Sequence, residues 1–185
     1  MNADVAPALD TYPLIHFALN RMDALLSFRK QAEKPPVFTF RRSDGSVTGC
    51  ALRNLPVAHD LAHYAVEQTL RLRRGFYGLL DAGFAPDDFE APRAHRPAAL
   101  LPANLPTDAH QAEHIVGLLQ TEWLCGPNDT FLDDLRQSLT ARNVPFPPAL
   151  TNDTLADIRS TYAALLHDWS QLPVGESLHL SLRIG

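Results

Sequence analysis

Cysteine is scarce in this 185-residue sequence, which contains only Cys50 and Cys125, far apart and outside any Cys-x-x-Cys spacing. Such usage excludes a zinc ribbon and a disulfide framework and is typical of a protein of the reducing cytoplasm. No apolar run approaches the ~20 residues of a membrane-spanning helix. The N-terminus also lacks the basic stretch that opens a secretory signal. We therefore expect a cytoplasmic protein with no membrane partner.

Basic residues are also fewer than acidic ones. The chain carries 16 lysines and arginines against 21 aspartates and glutamates, which gives a formal net charge of −5 at pH 7. A general nucleic-acid binder needs a basic face that displaces counterions from the phosphates, so nucleic acid is not an expected partner. The partners left open are a second copy of the chain, forming a homo-oligomer, and another protein.

Several motifs of well-known enzymes are missing as well. The sequence has no Gly-x-Ser-x-Gly elbow for a serine nucleophile, no Walker-type phosphate loop, and no Gly-x-Gly-x-x-Gly turn after a strand. What it does contain is 45% hydrophobic and 20% charged residues, which is typical of a globular protein. Its length is sufficient for one well-buried core.

The first predicted element is a helix over residues 12–33. Apolar residues recur there at helical spacing, and a Pro-Pro pair ends the pattern. We interpret residues 1–35 as an N-terminal helical extension and residues 36–185 as a single α+β domain. The apolar stripe of the extension must be covered, either by the domain or by a second copy of the chain.

A β-hairpin is predicted over residues 37–52. The dipeptide Asp44-Gly45 separates two stretches rich in β-branched and aromatic residues, and it tolerates the positive φ angles of a two-residue type I′ turn. Such a turn sets the register of the two strands. It would place Phe40 opposite Gly49, a large residue against a small one on the face that we expect to be buried.

The C-terminal segment 177–183 alternates polar and apolar residues, as expected of a strand with one buried face. A lone hairpin is only marginally stable, so we expect this strand to join it antiparallel. The predicted fold class is therefore α+β, with a small antiparallel sheet packed against several helices and a proline-rich loop of unknown role at residues 84–106. The expected core residues of the sheet are Phe38, Phe40, Leu180 and Leu182. The expected helices span 57–73, 76–82, 107–124, 128–142 and 151–169.

The densest group of chemically useful side chains consists of His59, Asp60, His63 and Glu67. The two histidines and the glutamate follow one another at i, i+4 and i+8 of a predicted helix. A spacing of about 100° per residue places His59 inside the apolar arc of this helix, His63 at its edge and Glu67 one step further out. We interpret these four as candidate binding residues, and His59 and His63 as candidate metal ligands.

A metal site requires that all its ligands can reach one ion. Histidines at i and i+4 can share one ion, but Glu67 lies about 12 Å along the helix axis from His59, at ~1.5 Å per residue. With metal–ligand bonds of only ~2 Å, the ion would need another carboxylate or histidine from elsewhere in the chain. Asp60 stands where the zincin motif His-Glu-x-x-His has its glutamate, and an aspartate is shorter, so the stretch is not a zincin signature.

A second histidine pair, His110 and His114 with Glu113 between them, matches the His-x-x-Glu-His letters of the inverzincins. On the predicted helix both histidines point away from the apolar face, which is usual for solvated side chains. They gain significance only if that face turns toward His59 and His63.

The stretch from His59 to Gly83 resembles a motif of a family of small, uncharacterised bacterial α+β proteins. The motif consists of a His-Asp-Leu-x-His opening, a Val-Glu pair, a Gly-Phe-Tyr-Gly turn and a closing glycine, and residues 169–180 are similar to the closing motif of the same family. Together these stretches cover about a fifth of the chain. The resemblance implies an α+β domain that ends in a strand. The family has no known activity, so the resemblance implies no catalytic role, and the helix predicted at 12–33 is extra to its pattern.

Two functions from different classes fit these patterns. The first is a binding or structural module, in which the His/Asp/Glu cluster forms a polar network that ties its helix to neighbouring loops. The alternative is a metal-dependent enzyme of hydrolytic type, with His59 and His63 as ligands, Glu67 or Asp60 in support, and a divalent ion such as zinc as the candidate cofactor. We favour the first, because no complete ligand set can be read from the chain.

Overall fold

The computed structural model of the protein describes residues 23–184. They form a four-stranded antiparallel sheet with the strand order β3-β2-β1-β4, together with six α-helices. This arrangement confirms the predicted α+β class. The elements in chain order are β1 (Ala24–Arg29), β2 (Val37–Arg41), β3 (Val47–Ala51), α1 (Val57–Leu70), α2 (Phe76–Asp81), α3 (Pro86–Glu90), a 3-10 turn (Ala98–Leu100), α4 (Thr107–Cys125), α5 (Phe131–Ala141), α6 (Asn152–Gln171) and β4 (Ser177–Leu182).

Strand β1 lies where the sequence predicts the end of a helix. The prediction of a helix over residues 12–33 is wrong for Ala24–Arg29, and residues 1–22 lie outside the described part of the chain. Buried and outward-facing side chains alternate along β1. The sequence does not show this alternation, because the outward-facing Leu25, which is 39% exposed, is also apolar. The buried side chains are those of Ala24, Leu26 and Phe28. Because β2 and β4 pair with β1 on both sides, tertiary pairing rather than local periodicity decides its structure.

The residue that follows β1 holds the far end of helix α6. Lys30 donates from Nζ to the carbonyl oxygens of Trp169, Ser170 and Leu172, at 2.7, 3.2 and 2.8 Å. The last carbonyl groups of a helix lack partners within it, and a cation there also complements the helix dipole. The segment from β1 to Lys30 is therefore part of the domain rather than an appendage. The predicted extension before residue 23 stays a prediction.

The predicted hairpin is present as β2 and β3, but its register differs by one residue from the expected one. The loop has three residues, 43–45, rather than two, and it ends on Gly45 with a φ of 88°. A three-residue loop with positive φ in the last place is the next most common hairpin connection after the two-residue turns. Phe40 consequently lies opposite Thr48 and not opposite Gly49.

The C-terminal strand joins the sheet antiparallel as predicted, although its neighbour is β1 and not the hairpin. Of the expected core residues, Phe38, Phe40 and Leu182 are buried, whereas Leu180 is half-buried. The inner face of the sheet shares one hydrophobic core with α1, α2, α4, α5 and α6. Helix α1 packs against both α4 and α6, so the residues of the histidine motif are held in the middle of the helical layer.

The proline-rich connection at residues 84–106 is more ordered than the sequence predicts. Helix α3 and the 3-10 turn interrupt it, and α3 packs beside β3. The side chain of Asp88 caps the start of α3, since its Oδ2 accepts a hydrogen bond from the N–H of Ala85 at 2.7 Å. Neither these short helices nor any longer one in the part of the chain that the structure describes is long and apolar enough to cross a membrane.

Candidate functional site

Helix α1 carries all four candidate residues, and it begins where the sequence predicts but ends three residues earlier. The helix begins after Pro56 and stops at Leu70, where Arg71 takes the left-handed conformation (φ 52°, ψ 47°). Gly75 directly precedes the first residue of α2. The short connection folds α2 back along α1, so that the N-terminus of α2 meets the side chain of Glu67.

Glu67 lies fully buried against the start of α2. Its carboxylate accepts the N–H groups of Phe76 at 2.9 Å and Tyr77 at 3.1 Å, and Nδ1 of His63 lies 3.0 Å from the same carboxylate. A Cβ atom at Gly75 would collide with this carboxyl group, so the backbone can approach it only where there is no side chain. The Val-Glu pair and the Gly-Phe-Tyr-Gly turn are therefore two parts of one structural unit.

The His63–Glu67 pair holds its proton more tightly than the two groups would in water. Burial disfavours the charged form of His63, but the hydrogen bond and charge of Glu67, helped by Glu113 and Asp60, outweigh it and raise the pKa of His63 above its ordinary value. Burial also raises the pKa of Glu67, against the opposing effects of His63 and the two N–H groups. Removing either partner would leave the other buried without its main interaction.

His59 lies one turn earlier on the same side of α1. Its Nδ1 is 3.2 Å from Oε1 of Gln120 on α4. Because an amide oxygen only accepts, we assign the proton to Nδ1, which leaves Nε2 free. His63 likewise directs its Nδ1 proton at Glu67, but its raised pKa means that an ion binding at Nε2 would have to displace a second proton. Burial, followed by the charge of His63, lowers the pKa of His59, which favours the neutral imidazole that metal binding requires.

A third candidate ligand lies on α4. Oε1 of Glu113 lies 3.6 Å from Nε2 of His63, and one ligand atom from each of His59, His63 and Glu113 lies within 4.8 Å of the others. Two ligands of a tetrahedral zinc ion lie ~3.4 Å apart, given bond lengths of ~2.0–2.1 Å. The observed spread of up to 4.8 Å is wider than this spacing, so the side chains would have to draw closer to hold one ion, and that of Glu113 is 56% exposed.

The three candidate metal ligands line a pocket with a cavity volume of about 260 Å³. The pocket lies between α1, α3, α4 and the hairpin, and none of the described residues that line it is a lysine or an arginine. Its apolar wall consists of Phe38, Cys50, Leu52, Leu55, Phe76, Pro86 and Phe89, and its polar wall of His59, Asp60, His63, Glu90 and Glu113. A ligand in this pocket would contact hydrophobic surface and the three candidate metal ligands together.

Asp60 is a buried carboxylate with an unsatisfied oxygen. Its side chain lines the pocket, the residue is 6% exposed, and Oδ2 has no hydrogen-bond partner among residues 23–184. The hydroxyl of Tyr77 donates to the backbone carbonyl of Asp60 at 2.7 Å, which fixes the main chain beside it. Burial raises the pKa of Asp60 to about 7, although the positive charge of His63 opposes the shift. A buried carboxylate without a partner is costly and is often a functional group.

Cys50, in the pocket wall, is expected to be unreactive. Burial, followed by the charges of Asp87, Asp60 and Glu90, raises the pKa of Cys50 to about 11. The thiol therefore stays protonated at neutral pH, whereas nucleophilic attack and metal ligation both require the thiolate.

The second histidine pair does not contribute its histidines to this site. Nε2 of His110 lies 3.1 Å from the carbonyl oxygen of Pro102, and Nδ1 of His114 lies 2.8 Å from Oγ of Ser138. Only Glu113 of that segment reaches the α1 histidines.

Sequence reasoning missed Glu113 as a ligand, although a signal for it exists. Glu113 and Gln120 are seven residues apart on α4, so they lie on one stripe of the helix beside its apolar face. Both contact a histidine of α1: Glu113 lies near His63, and Gln120 lies near His59. Two polar residues at heptad spacing beside a buried stripe indicate that α4 presents this edge to polar groups of a neighbouring helix.

Comparisons of this chain with protein-family models, with curated proteins and with solved structures found no match. The resemblance to a bacterial family therefore stays a prediction, and the geometry of the described residues carries the functional argument.

Proposed function

We propose that the protein binds a divalent transition-metal ion through His59, His63 and Glu113 and uses it as a metal-dependent enzyme of hydrolytic type. The observation that carries this proposal is the convergence of three ligand atoms within 4.8 Å at the edge of a pocket. In both histidines Nδ1 is engaged, by Gln120 and by Glu67, so Nε2 is the nitrogen that is left to bind an ion. Outer partners of this kind are typical of metal-binding histidines, which they orient and make more basic.

The donor set favours zinc over the hard cations. Two imidazoles and one carboxylate are a common protein ligand set for catalytic zinc, which keeps a fourth position for water or substrate. When bound, such an ion acts as a Lewis acid and lowers the pKa of its water toward neutrality. The protein's own contribution would be to orient the two imidazoles through Gln120 and Glu67 and to place Asp60 in the wall of the same pocket.

A direct test is metal titration of the chelator-stripped protein, followed by elemental analysis after gel filtration. We expect one equivalent of zinc in the wild type. Loss of an outer partner of a zinc ligand weakens binding by about 10–100-fold, so Glu113→Gln, which removes a ligand, should weaken it at least as much. Because Glu113 is largely exposed, this variant should fold normally. Glu176→Gln, the same change at an exposed residue in the turn before β4, is the matched control and should bind zinc like the wild type. Wild-type protein that retains no metal would contradict the proposal.

A second candidate function is the metal-free polar network that the sequence favours. The specific observation in its favour is the Glu67 carboxylate, which joins α1 to the start of α2 through His63, Phe76 and Tyr77. In that case His63→Ala would destabilise the stripped protein by about 1–3 kcal/mol, the usual result of leaving a buried polar group unpaired. A metal-free wild type with this loss of stability would favour the structural role, whereas stoichiometric zinc that disappears in the variant would favour the metal centre.

We also propose that the protein is cytoplasmic. Cys50 and Cys125 are both free thiols, which is typical of a reducing compartment. Fractionation of cells that produce the untagged chain would test this proposal, and recovery in a secreted or membrane fraction would contradict it.

A further inference from the structure

We infer that the outer edge of β4 is a surface for self-association, where a second copy of this chain adds its own β4 antiparallel about a two-fold axis at His179. The inference does not depend on the proposed metal centre, because the candidate ligands lie on α1 and α4. Three features of β4 carry it: its outward backbone groups, the symmetry of its sequence, and its half-covered leucines.

The outer backbone groups of β4 have no strand partner among residues 23–184. The strand stands at one end of the sheet, and β1 is its neighbour on the other side. Opposite residues of an antiparallel pair alternate between exchanging hydrogen bonds and not exchanging them. Just before β4, the N–H of Lys30 donates to the carbonyl oxygen of Glu176 at 3.0 Å. The even-numbered residues of β4 therefore bond to β1, and the odd-numbered residues turn their N–H and C=O groups outward.

One contact from the helical layer confirms this orientation. The hydroxyl of Tyr64 on α1 donates to the carbonyl oxygen of Ser181 at 2.8 Å, which requires that this carbonyl faces away from β1. A carbonyl oxygen has two lone pairs, so it can accept a second hydrogen bond from the N–H of an added strand.

The strand lacks the features by which most edge strands avoid pairing. Such strands are usually very short, or carry lysine, proline or a bulge. The six residues of β4 include no lysine, arginine, acidic residue or proline, and their register with β1 is continuous. The opposite edge strand, β3, differs because α3 packs beside it.

The sequence of the edge is symmetric about His179. Residues 177–181 read Ser-Leu-His-Leu-Ser in both directions. If two copies pair antiparallel around this residue, His179 lies opposite His179 of the second copy, each Leu178 lies opposite a Leu180, and each Ser177 lies opposite a Ser181. Apolar side chains then meet apolar ones on the inner face, and small polar ones meet on the outer face. A two-fold interface requires this kind of self-complementarity, which favours a second copy over an unrelated strand.

The leucine pairs would cover apolar surface that the single chain leaves open. On β1, Leu26 and Phe28 are 1% and 0% exposed, whereas their partners on β4, Leu180 and Leu178, are only half-buried. The difference arises because β4 has a strand on one side only. Directly opposite side chains on neighbouring strands lie ~4.5–5.5 Å apart between Cβ atoms, close enough to bury each other.

The first experiment is sedimentation velocity of the full chain over a range of concentrations, in reducing buffer because Cys125 is an exposed thiol. We expect a monomer–dimer equilibrium. His179→Pro removes an outward N–H that β1 does not use, which an edge strand tolerates. It should weaken the dimer by about tenfold or more, because two hydrogen bonds between the copies are lost. Val47→Pro removes an outward N–H from β3, since the preceding residue, Ser46, bonds to Arg42, and this control should dimerise like the wild type.

The second experiment exchanges charges at the two-fold axis. His179→Lys and His179→Asp each place like charges directly opposite one another, which destabilises a strand pair, so each variant alone should dimerise more weakly than the wild type. An equal mixture of the two should recover the dimer, because lysine then lies opposite aspartate. Both variants retain every backbone N–H, so they decide the question if circular dichroism shows that His179→Pro does not fold.

Four results would overturn the inference. They are a wild type that stays monomeric at every concentration, a dimer that none of the three changes at His179 weakens, equal loss of the dimer in Val47→Pro, and a mixture of the lysine and aspartate variants that does not recover it. None of these results bears on zinc content, so the proposed metal centre stands or falls separately.

Discussion

Replacing Asp60 by asparagine is expected to stabilise the metal-free protein, by an amount that grows with pH. Asn has nearly the same shape, but it cannot ionise inside the pocket. Burial raises the pKa of Asp60 from 3.8 to about 7, so the native state binds this proton more tightly than the unfolded chain. A carboxyl group with a raised pKa contributes most to stability below its unfolded pKa, and the contribution is lost as the pH rises through the folded value.

The size of the effect follows from the two pKa values. They differ by about three units, and each unit corresponds to about 1.4 kcal/mol, which gives about 4 kcal/mol at full ionisation. Most of the change falls between pH 4 and pH 7, and about 3 kcal/mol of it should appear between pH 4.5 and pH 8. The advantage of Asp60→Asn over the wild type should therefore increase by about 3 kcal/mol across that interval.

Urea unfolding in the presence of a chelator at pH 4.5, 6 and 8 would measure this difference. Comparison at each pH cancels the contributions of groups that both proteins share, and Asp157→Asn controls for the loss of one negative charge at an exposed position. If the difference between Asp60→Asn and the wild type does not change with pH, then Asp60 ionises as freely in the native state as in the unfolded chain. That result would refute the claim that its carboxyl group is desolvated and unpartnered.

Three further substitutions test the framework around the site. Glu67→Gln should lower zinc affinity by about 10–100-fold, as expected when an outer partner of a ligand is lost, and competition with a chromogenic chelator would show unchanged affinity if Glu67 does not orient His63. Gly75→Ala should destabilise the protein by about 1–3 kcal/mol, because its Cβ meets the Glu67 carboxyl group; Gly117→Ala, in open space on α4, should be neutral or slightly stabilising in the same melts. Lys30→Met keeps the apolar stem but loses the three bonds to the end of α6, so it should lower the free energy of unfolding by about 1–3 kcal/mol, and equal urea midpoints would contradict this role.

The sequence was most informative where local pattern and burial agree. The hairpin and the C-terminal strand were predicted correctly as elements, because alternation and a turn dipeptide mark them without help from the rest of the fold. The register of the hairpin was predicted wrongly, because Asp44-Gly45 is compatible with both a two-residue turn and a three-residue loop. One extra loop residue was enough to move Phe40 from Gly49 to Thr48.

Strand β1 could not be predicted from its own residues. Leu25 and Leu26 fit a helical stripe as well as they fit a strand, and what decides between the two is pairing with β2 and β4. The partner β4 lies about 150 residues away in the sequence. Information of that kind is not contained in a window of local residues.

The candidate site was only half visible in the sequence. The spacing of His59 and His63 indicated a shared environment, and the distance argument required a further ligand from elsewhere; Glu113 lies close enough to both histidines to be a candidate. The same distance argument indicated that Glu67 is too far from His59 to share an ion with both histidines. In the structure Glu67 contacts Nδ1 of His63, whereas Glu113 lies near Nε2. The identity of the third ligand depends on how α4 packs across α1, which the pattern of either helix alone does not determine.

The place of β1 in the sheet has a consequence for synthesis of the chain. At a translation rate of about 5–20 residues per second, the ribosome reaches β4 roughly 8–30 seconds after it has synthesised β1. During that interval β2 and β3 can already pair with β1, but the other edge of β1 offers its backbone groups and the exposed Leu25 to any strand nearby. The nascent chain is therefore expected to depend on chaperones, or on low production rates, more than its modest size would suggest.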